Sequence, residues 1–241
     1  MNILSIGNSF SQDAQRYLNQ IAKADNVDIN CFNLFIPGCP LSLHYMNMLN
    51  EERAYTLEMN GESTGFFVSL KEAILNRAWD VITIQQVSDQ APYYDTFQPY
   101  LNEVVEYVRR LVPDAKIVIH ETWAYEQGCC RLIEELKYNS YKDMLSDVVA
   151  SYKKAAEDIN ADGIIPSGEV LGALIENGIN KVHRDSYHAS LGLGRYALGL
   201  TWYRFLTGND INKNTFNDFD EPVSDEEIAI AKKSVIEVVK M

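Results

Sequence analysis

Two short stretches hold side chains that could act on one another. ILSIGNSFSQDA, residues 3–14, runs an apolar segment into Gly7-Asn8-Ser9, and RDSYHAS, residues 184–190, sets Asp185 three residues before His188. A serine hydroxyl needs a base to become a nucleophile, and the base needs a third group to fix its tautomer. Asp-x-x-His on a turn can bring the carboxylate to the imidazole Nδ1 and leave Nε2 facing a serine. Plainer readings stand beside this one. Ser9 or Ser11 could cap the following helix, Ser9 could contact a phosphate there, and Asp185 could be a helix-entry acid beside a surface histidine. His183, Asp185 and His188 also spell HxDxxH, but no cysteine or further acidic pair accompanies them, so no metal site is expected.

Apolar periodicity supplies the elements that would position these residues. Short buried strands are expected at Ile3–Ile6, Val27–Phe35, Asp80–Ile84, Ala115–Ile119 and Gly163–Ile165. Between them lie helical patterns at Asp13–Ala24, Leu70–Asn76, Phe97–Leu111 and Tyr141–Ile159, followed by Ser167–Ile175, Ser190–Leu206 and a last helix behind the capping box Ser224-Asp225-Glu226-Glu227. Tyr55–Phe67 alternates around Asn60-Gly61, a strong hairpin signal, and reads as a β-hairpin insertion. Alternating strands and helices imply one α/β domain over residues 1–241: a flavodoxin-like three-layer α/β/α sandwich with a five-stranded parallel sheet. Ligands in such sheets bind beyond the carboxyl ends of the strands. Those ends carry Gly7-Asn8-Ser9, Pro37-Gly38, Gln85-Gln86 and His120-Glu121, with the loop before Ser190 nearby.

Taken in order, these blocks resemble the SGNH/GDSL hydrolase superfamily, in which a serine follows the first strand and DxxH lies near the C-terminus. GNSF, Gly7–Phe10, matches the first block with Asn8 where Asp is usual, and Gly38 in IPGCP matches the glycine block. The third block has IQQVSDQ where the family usually has Asn, which resembles the subset with Gln in that block, as in sugar O-acetyl esterases and related domains of unknown function. The resemblance implies a serine esterase that removes a small acyl group, acetyl on a carbohydrate or a similar ester, through an acyl-serine. It implies Ser9 as nucleophile, His188 as base and Asp185 as its orienting partner. The implied oxyanion donors are the backbone N–H groups of Ser9 and Gly38 and the side-chain amide of Gln85, with Gln86 the other choice. Asn8, Gln86, Ser88, Trp123 and Tyr187 are candidate substrate contacts, the aromatics for stacking on sugar rings. No metal or organic cofactor is implied. The alternative is a non-catalytic flavodoxin-like module binding phosphate, nucleotide or glycan. Against it, the first loop has one glycine, no lysine and no GxGxxG.

Composition narrows the partners. A formal charge of −13 on 241 residues argues against nucleic acid, whose phosphates need clustered Lys and Arg, and against an anionic membrane surface. No apolar run approaches the length of a membrane span. Cys31, Cys39, Cys129 and Cys130 include no CxxC and read as reduced thiols. The expected partner is a small-molecule or carbohydrate ester. The expected location is cytoplasmic if the sequence is full length, and secreted or periplasmic if a signal peptide has been removed.

Overall fold

Ile3, Leu4 and Ile6 of the first strand are all buried, so both faces of the sheet are covered at its centre. The computed structural model describes residues 1–240. Its strands are β1 (Asn2–Gly7), β2 (Asn30–Phe35), β3 (Tyr55–Met59), β4 (Glu62–Val68), β5 (Val81–Ile84), β6 (Lys116–His120) and β7 (Gly163–Ile165). They form one seven-stranded sheet in the order β4-β3-β2-β1-β5-β6-β7. Five strands, β2-β1-β5-β6-β7, run parallel. This is the flavodoxin-like order, which reverses direction between β1 and β5.

The β3–β4 hairpin does not project from the fold. It extends the sheet antiparallel at the β2 edge, giving seven strands where the parallel count alone gave five. Asn60 and Gly61 both have positive φ, 52° and 84°, as a tight hairpin turn of this kind demands. Gly61 has a second constraint, because a Cβ there would lie 2.5 Å from the Arg16 carbonyl oxygen.

The helices are α1 (Ser9–Gln15), α2 (Leu18–Ala24), α3 (Leu41–Asn50), α4 (Leu70–Leu75), α5 (Tyr100–Leu111), α6 (Tyr141–Asp158), α7 (Ser167–Glu176), α8 (Leu193–Thr207) and α9 (Asp225–Val238). One layer groups α3, α4 and α5; the other groups α1, α2, α7, α8 and α9, while α6 packs against β6 and β7 and meets α7. Three differences from the sequence reading bear on the site. The first helix starts at Ser9 instead of Asp13, because Asn8 caps it. It breaks at Arg16–Tyr17 into α1 and α2. A helix that the periodicity did not show, α3, begins directly behind Pro37-Gly38.

Candidate active site

The β1 turn settles which residue caps the helix. Asn8 is the cap: its Oδ1 accepts from Phe10 N–H at 3.0 Å, and Ser11 completes a capping box. Ser9 is therefore the first helical residue, with its hydroxyl left over for another partner. That partner is His188. Its Nε2 lies 2.7 Å from Ser9 Oγ, and its Nδ1 lies 2.8 Å from Asp185 Oδ2. With an ionised carboxylate accepting, Nδ1 carries the proton and Nε2 accepts from the serine hydroxyl. Asp185 Oδ1 also accepts from the His188 backbone N–H at 2.9 Å, which closes the turn on itself. Partial burial pushes the Asp185 carboxyl up, but the bonds from His188 outweigh it and hold the group below its usual value.

Two aromatic rings pack against the imidazole. Tyr187 lies 4.2 Å from it and Phe10 5.7 Å, centroid to centroid. A salt-bridge network anchors the loop that carries it. Asp13, fully buried on α1 four residues beyond Ser9, receives Arg184 Nη1 on both carboxylate oxygens at 2.9–3.0 Å and Arg195 Nε at 2.8 Å. Arg184 adjoins Asp185, so the helix that bears the serine also holds the Asp-x-x-His loop.

Ser9 and His188 open on a pocket of about 490 Å³ whose walls include Asn8, Gly38, Ser88, Asp89, Arg131 and Tyr187. Pro37 and Gly38 occupy the centre of a turn closed by Cys39 N–H to Ile36 O at 3.3 Å, and Gly38 takes φ 59°. Among the described residues, the backbone N–H groups of Ser9 and Gly38 donate to no protein acceptor. Both therefore remain available to an oxygen between them. Arg131 lies over the Tyr187 ring at 4.3 Å, and Gln12, which also lines the pocket, is held by Glu58 of the hairpin.

Three of the residues singled out from the sequence do not line this pocket. Gln85 is buried and doubly engaged, its Nε2 on Asn8 Oδ1 at 3.0 Å and its Oε1 on His120 Nδ1 at 2.7 Å. It stands behind Asn8, so its amide is not a direct oxyanion donor here. Gln86 is fully buried. Its Oε1 accepts from Leu41 N–H and Val87 N–H at 2.9 Å each, and its Nε2 donates to Thr96. It supplies the cap that Pro40 cannot give α3, and so it touches no ligand. Trp123 is 1% exposed, stacked on Phe10 at 4.1 Å with its Nε1 on the Tyr187 carbonyl at 2.7 Å; it supports the site from below. Gln12, Asp89, Arg131 and Arg184 line the pocket without having been singled out.

A family model described as a domain of unknown function, DUF4886, matches residues 2–238. The chain belongs to the DUF4886 family. A DUF4886 family protein from Bacteroides uniformis is 30% identical and superposes with a TM-score of 0.91, covering 98% of this chain and 93% of its own. A protein from Slackia heliotrinireducens, proposed to be an SGNH hydrolase, is 21% identical with a TM-score of 0.61 over 86% of this chain and 98% of its own. Axe2, an acetylxylan esterase from Geobacillus stearothermophilus, is 15% identical with a TM-score of 0.56 over 84% and 92%. No curated protein matches the sequence. This DUF4886 protein thus has the α/β/α architecture of SGNH hydrolases, as the order of its sequence blocks implied. Among the described residues it has no cluster of three or more His, Cys, Asp or Glu that could hold a metal ion, and no helix long and apolar enough to cross a membrane.

Proposed function

We propose that this DUF4886 protein is a serine esterase that removes a small acyl group, acetyl in the favoured case, from a carbohydrate or similar polyhydroxylated ester. The observation that carries the reading is the unbroken line Ser9 Oγ–His188–Asp185, with links of 2.7 and 2.8 Å, opening on a pocket with two uncommitted backbone donors. In this reading His188 Nε2 takes the Ser9 proton as Oγ attacks the ester carbonyl. The tetrahedral oxyanion is met by the N–H groups of Ser9 and Gly38. The protonated imidazole, steadied by Asp185, gives the proton to the leaving alcohol, and water repeats the cycle on the acyl-serine. Ser88, Asp89, Arg131 and Tyr187 offer the mixture of polar groups and one aromatic face that suits a sugar hydroxyl array. That an acetylxylan esterase shares the fold is consistent with this choice.

The test is labelling with a fluorophosphonate probe alongside hydrolysis of p-nitrophenyl acetate and acetylated sugars. A single adduct mapped by mass spectrometry to Ser9, with turnover abolished in Ser9→Ala, is the expected result. Folded protein that neither labels nor turns over would leave a glycan- or phosphate-binding relative in its place.

A further inference from the structure

Behind the pocket a line of buried side chains runs from β6 to the two loops that would meet the oxyanion. Phe10 N–H identifies the Asn8 atom it meets as Oδ1, since only the carbonyl end can accept. Asn8 Nδ2 then donates to Cys39 O at 3.2 Å. Because Asn8 Oδ1 is an acceptor, Gln85 must present its Nε2 to it, and so it turns its Oε1 toward His120. Gln85 Oε1 cannot donate, so His120 carries its proton on Nδ1. One backbone N–H in α1 thereby sets the direction of every bond in the series, and each link has one polarity.

At its far end this series touches both candidate oxyanion donors. Asn8 immediately precedes Ser9, and Cys39 immediately follows Gly38. The Asn8-to-Cys39 bond is thus the cross-link that sets the spacing of the two free N–H groups. Resting on the esterase reading, we propose that His120 is a positioning residue for catalysis: its Nδ1–H locks Gln85, Gln85 locks Asn8, and Asn8 holds the Ser9 and Gly38 donors at one separation. His120 itself never reaches substrate, being wholly buried with its ring edge-on to Trp202 at 4.8 Å. Burial also holds the ring neutral, with its basicity pushed down to about 3, so the proton stays on Nδ1 through any working pH. Among the described residues Nε2 has no partner, which leaves Nδ1 as the ring's one hydrogen bond there.

The consequence is a loss of transition-state stabilisation without a loss of substrate binding. Removing an oxyanion donor outright costs on the order of 10²–10³ in kcat, so loosening both by releasing their cross-link should cost roughly 10–100-fold. The experiment compares His120→Leu, which removes the donor, with His120→Asn, whose side-chain amide can place an N–H near the Nδ1 position. In His120→Leu, kcat should fall about 10–100-fold with KM within about 3-fold, and the inhibition constant of a boronic acid that forms a tetrahedral serine adduct should rise by a similar factor. His120→Asn should recover most of both losses. A folded His120→Leu that keeps kcat and boronate affinity within about 3-fold of wild type overturns the proposal, as does a folded His120→Asn no better than His120→Leu. Should His120→Leu fail to fold, the wild type still decides the matter. A ¹⁵N-histidine spectrum must show His120 neutral and protonated on Nδ1, and the Nε2–H tautomer overturns the series. Wild-type protein without turnover or labelling would remove the esterase reading and this role together, whereas wild-type turnover with an undiminished His120→Leu removes the positioning role alone.

Discussion

Replacing Asp185 by asparagine should damage this protein more than replacing it by alanine. Asp185 Oδ1 accepts from the His188 backbone N–H at 2.9 Å, and its Oδ2 accepts from Nδ1 at 2.8 Å. Asparagine keeps the first bond through its carbonyl and must then aim its NH₂ at the imidazole. Nδ1 is forced to accept, the ring proton moves to Nε2, and Nε2 can no longer take the serine proton. In a fully buried triad the same exchange drops kcat by about 10⁴. Here the Asp185 side chain is 45% exposed, so water competes for Nδ1–H and part of the population keeps the useful tautomer. An expected loss of about 10²–10³ follows, or roughly 2.7–4 kcal/mol in the barrier. Alanine imposes no tautomer, because water can accept from Nδ1, and it should lose only about 10-fold. The assay is steady-state hydrolysis of p-nitrophenyl acetate by wild type, Asp185→Asn and Asp185→Ala at one pH, with circular dichroism to show that all three are folded. An alanine variant slower than the asparagine variant, or both within 3-fold of wild type, would refute the argument that tautomer control is what Asp185 supplies.

Two further outcomes concern stability. Asp13→Asn strips a buried carboxylate from two guanidinium groups that are only 25% and 13% exposed; such a break costs about 3–5 kcal/mol. In a chain of this size that is roughly a 10 °C fall in Tm by calorimetry, and a fall under 2 °C would show the network to be dispensable. Glu121 is buried against the start of α7, where its Oε1 accepts from Glu169 N–H at 3.1 Å, and burial, with Glu169's charge adding to it, pushes its carboxyl up to about 8. A carboxyl raised in the folded state stabilises fully below its unfolded value near 4.3 and loses that stability as pH climbs toward 8. Urea midpoints should therefore favour Glu121→Gln over wild type at pH 8 by on the order of 2 kcal/mol, with the gap closing at pH 5. An equal gap at both values would contradict the shift.

Ser9, Asp185, His188 and Gly38 were legible as candidates that the fold brings to one pocket, because each proposed role demands a residue type at a strand end or on a short turn. The parallel strands were legible for a similar reason, being short buried runs bounded by turns. Gln85 was read as an oxyanion donor, with Gln86 the other choice, and Gln86 and Trp123 as substrate contacts, because they sit at or just beyond strand ends, yet position along the chain does not say which way a side chain points. Leu41–Asn50 went unseen as a helix. Its exposed Leu43, Met46 and Leu49 blur the apolar stripe that periodicity depends on, and its cap comes from Gln86, 45 residues along the chain.

By itself the sequence determined which chemistry was possible: one serine behind the opening strand, one Asp-x-x-His turn and the alternation that makes a parallel sheet. Only the tertiary structure decided that Ser9 and His188, 179 positions apart, meet at 2.7 Å. It also decided that Asn8, not either serine, caps α1, and that Gln85 serves Asn8 and His120 instead of the pocket. The physical reason is that a buried polar atom must find a partner of matching polarity wherever the fold supplies one. Local sequence shows that the need exists, but not which distant group will meet it.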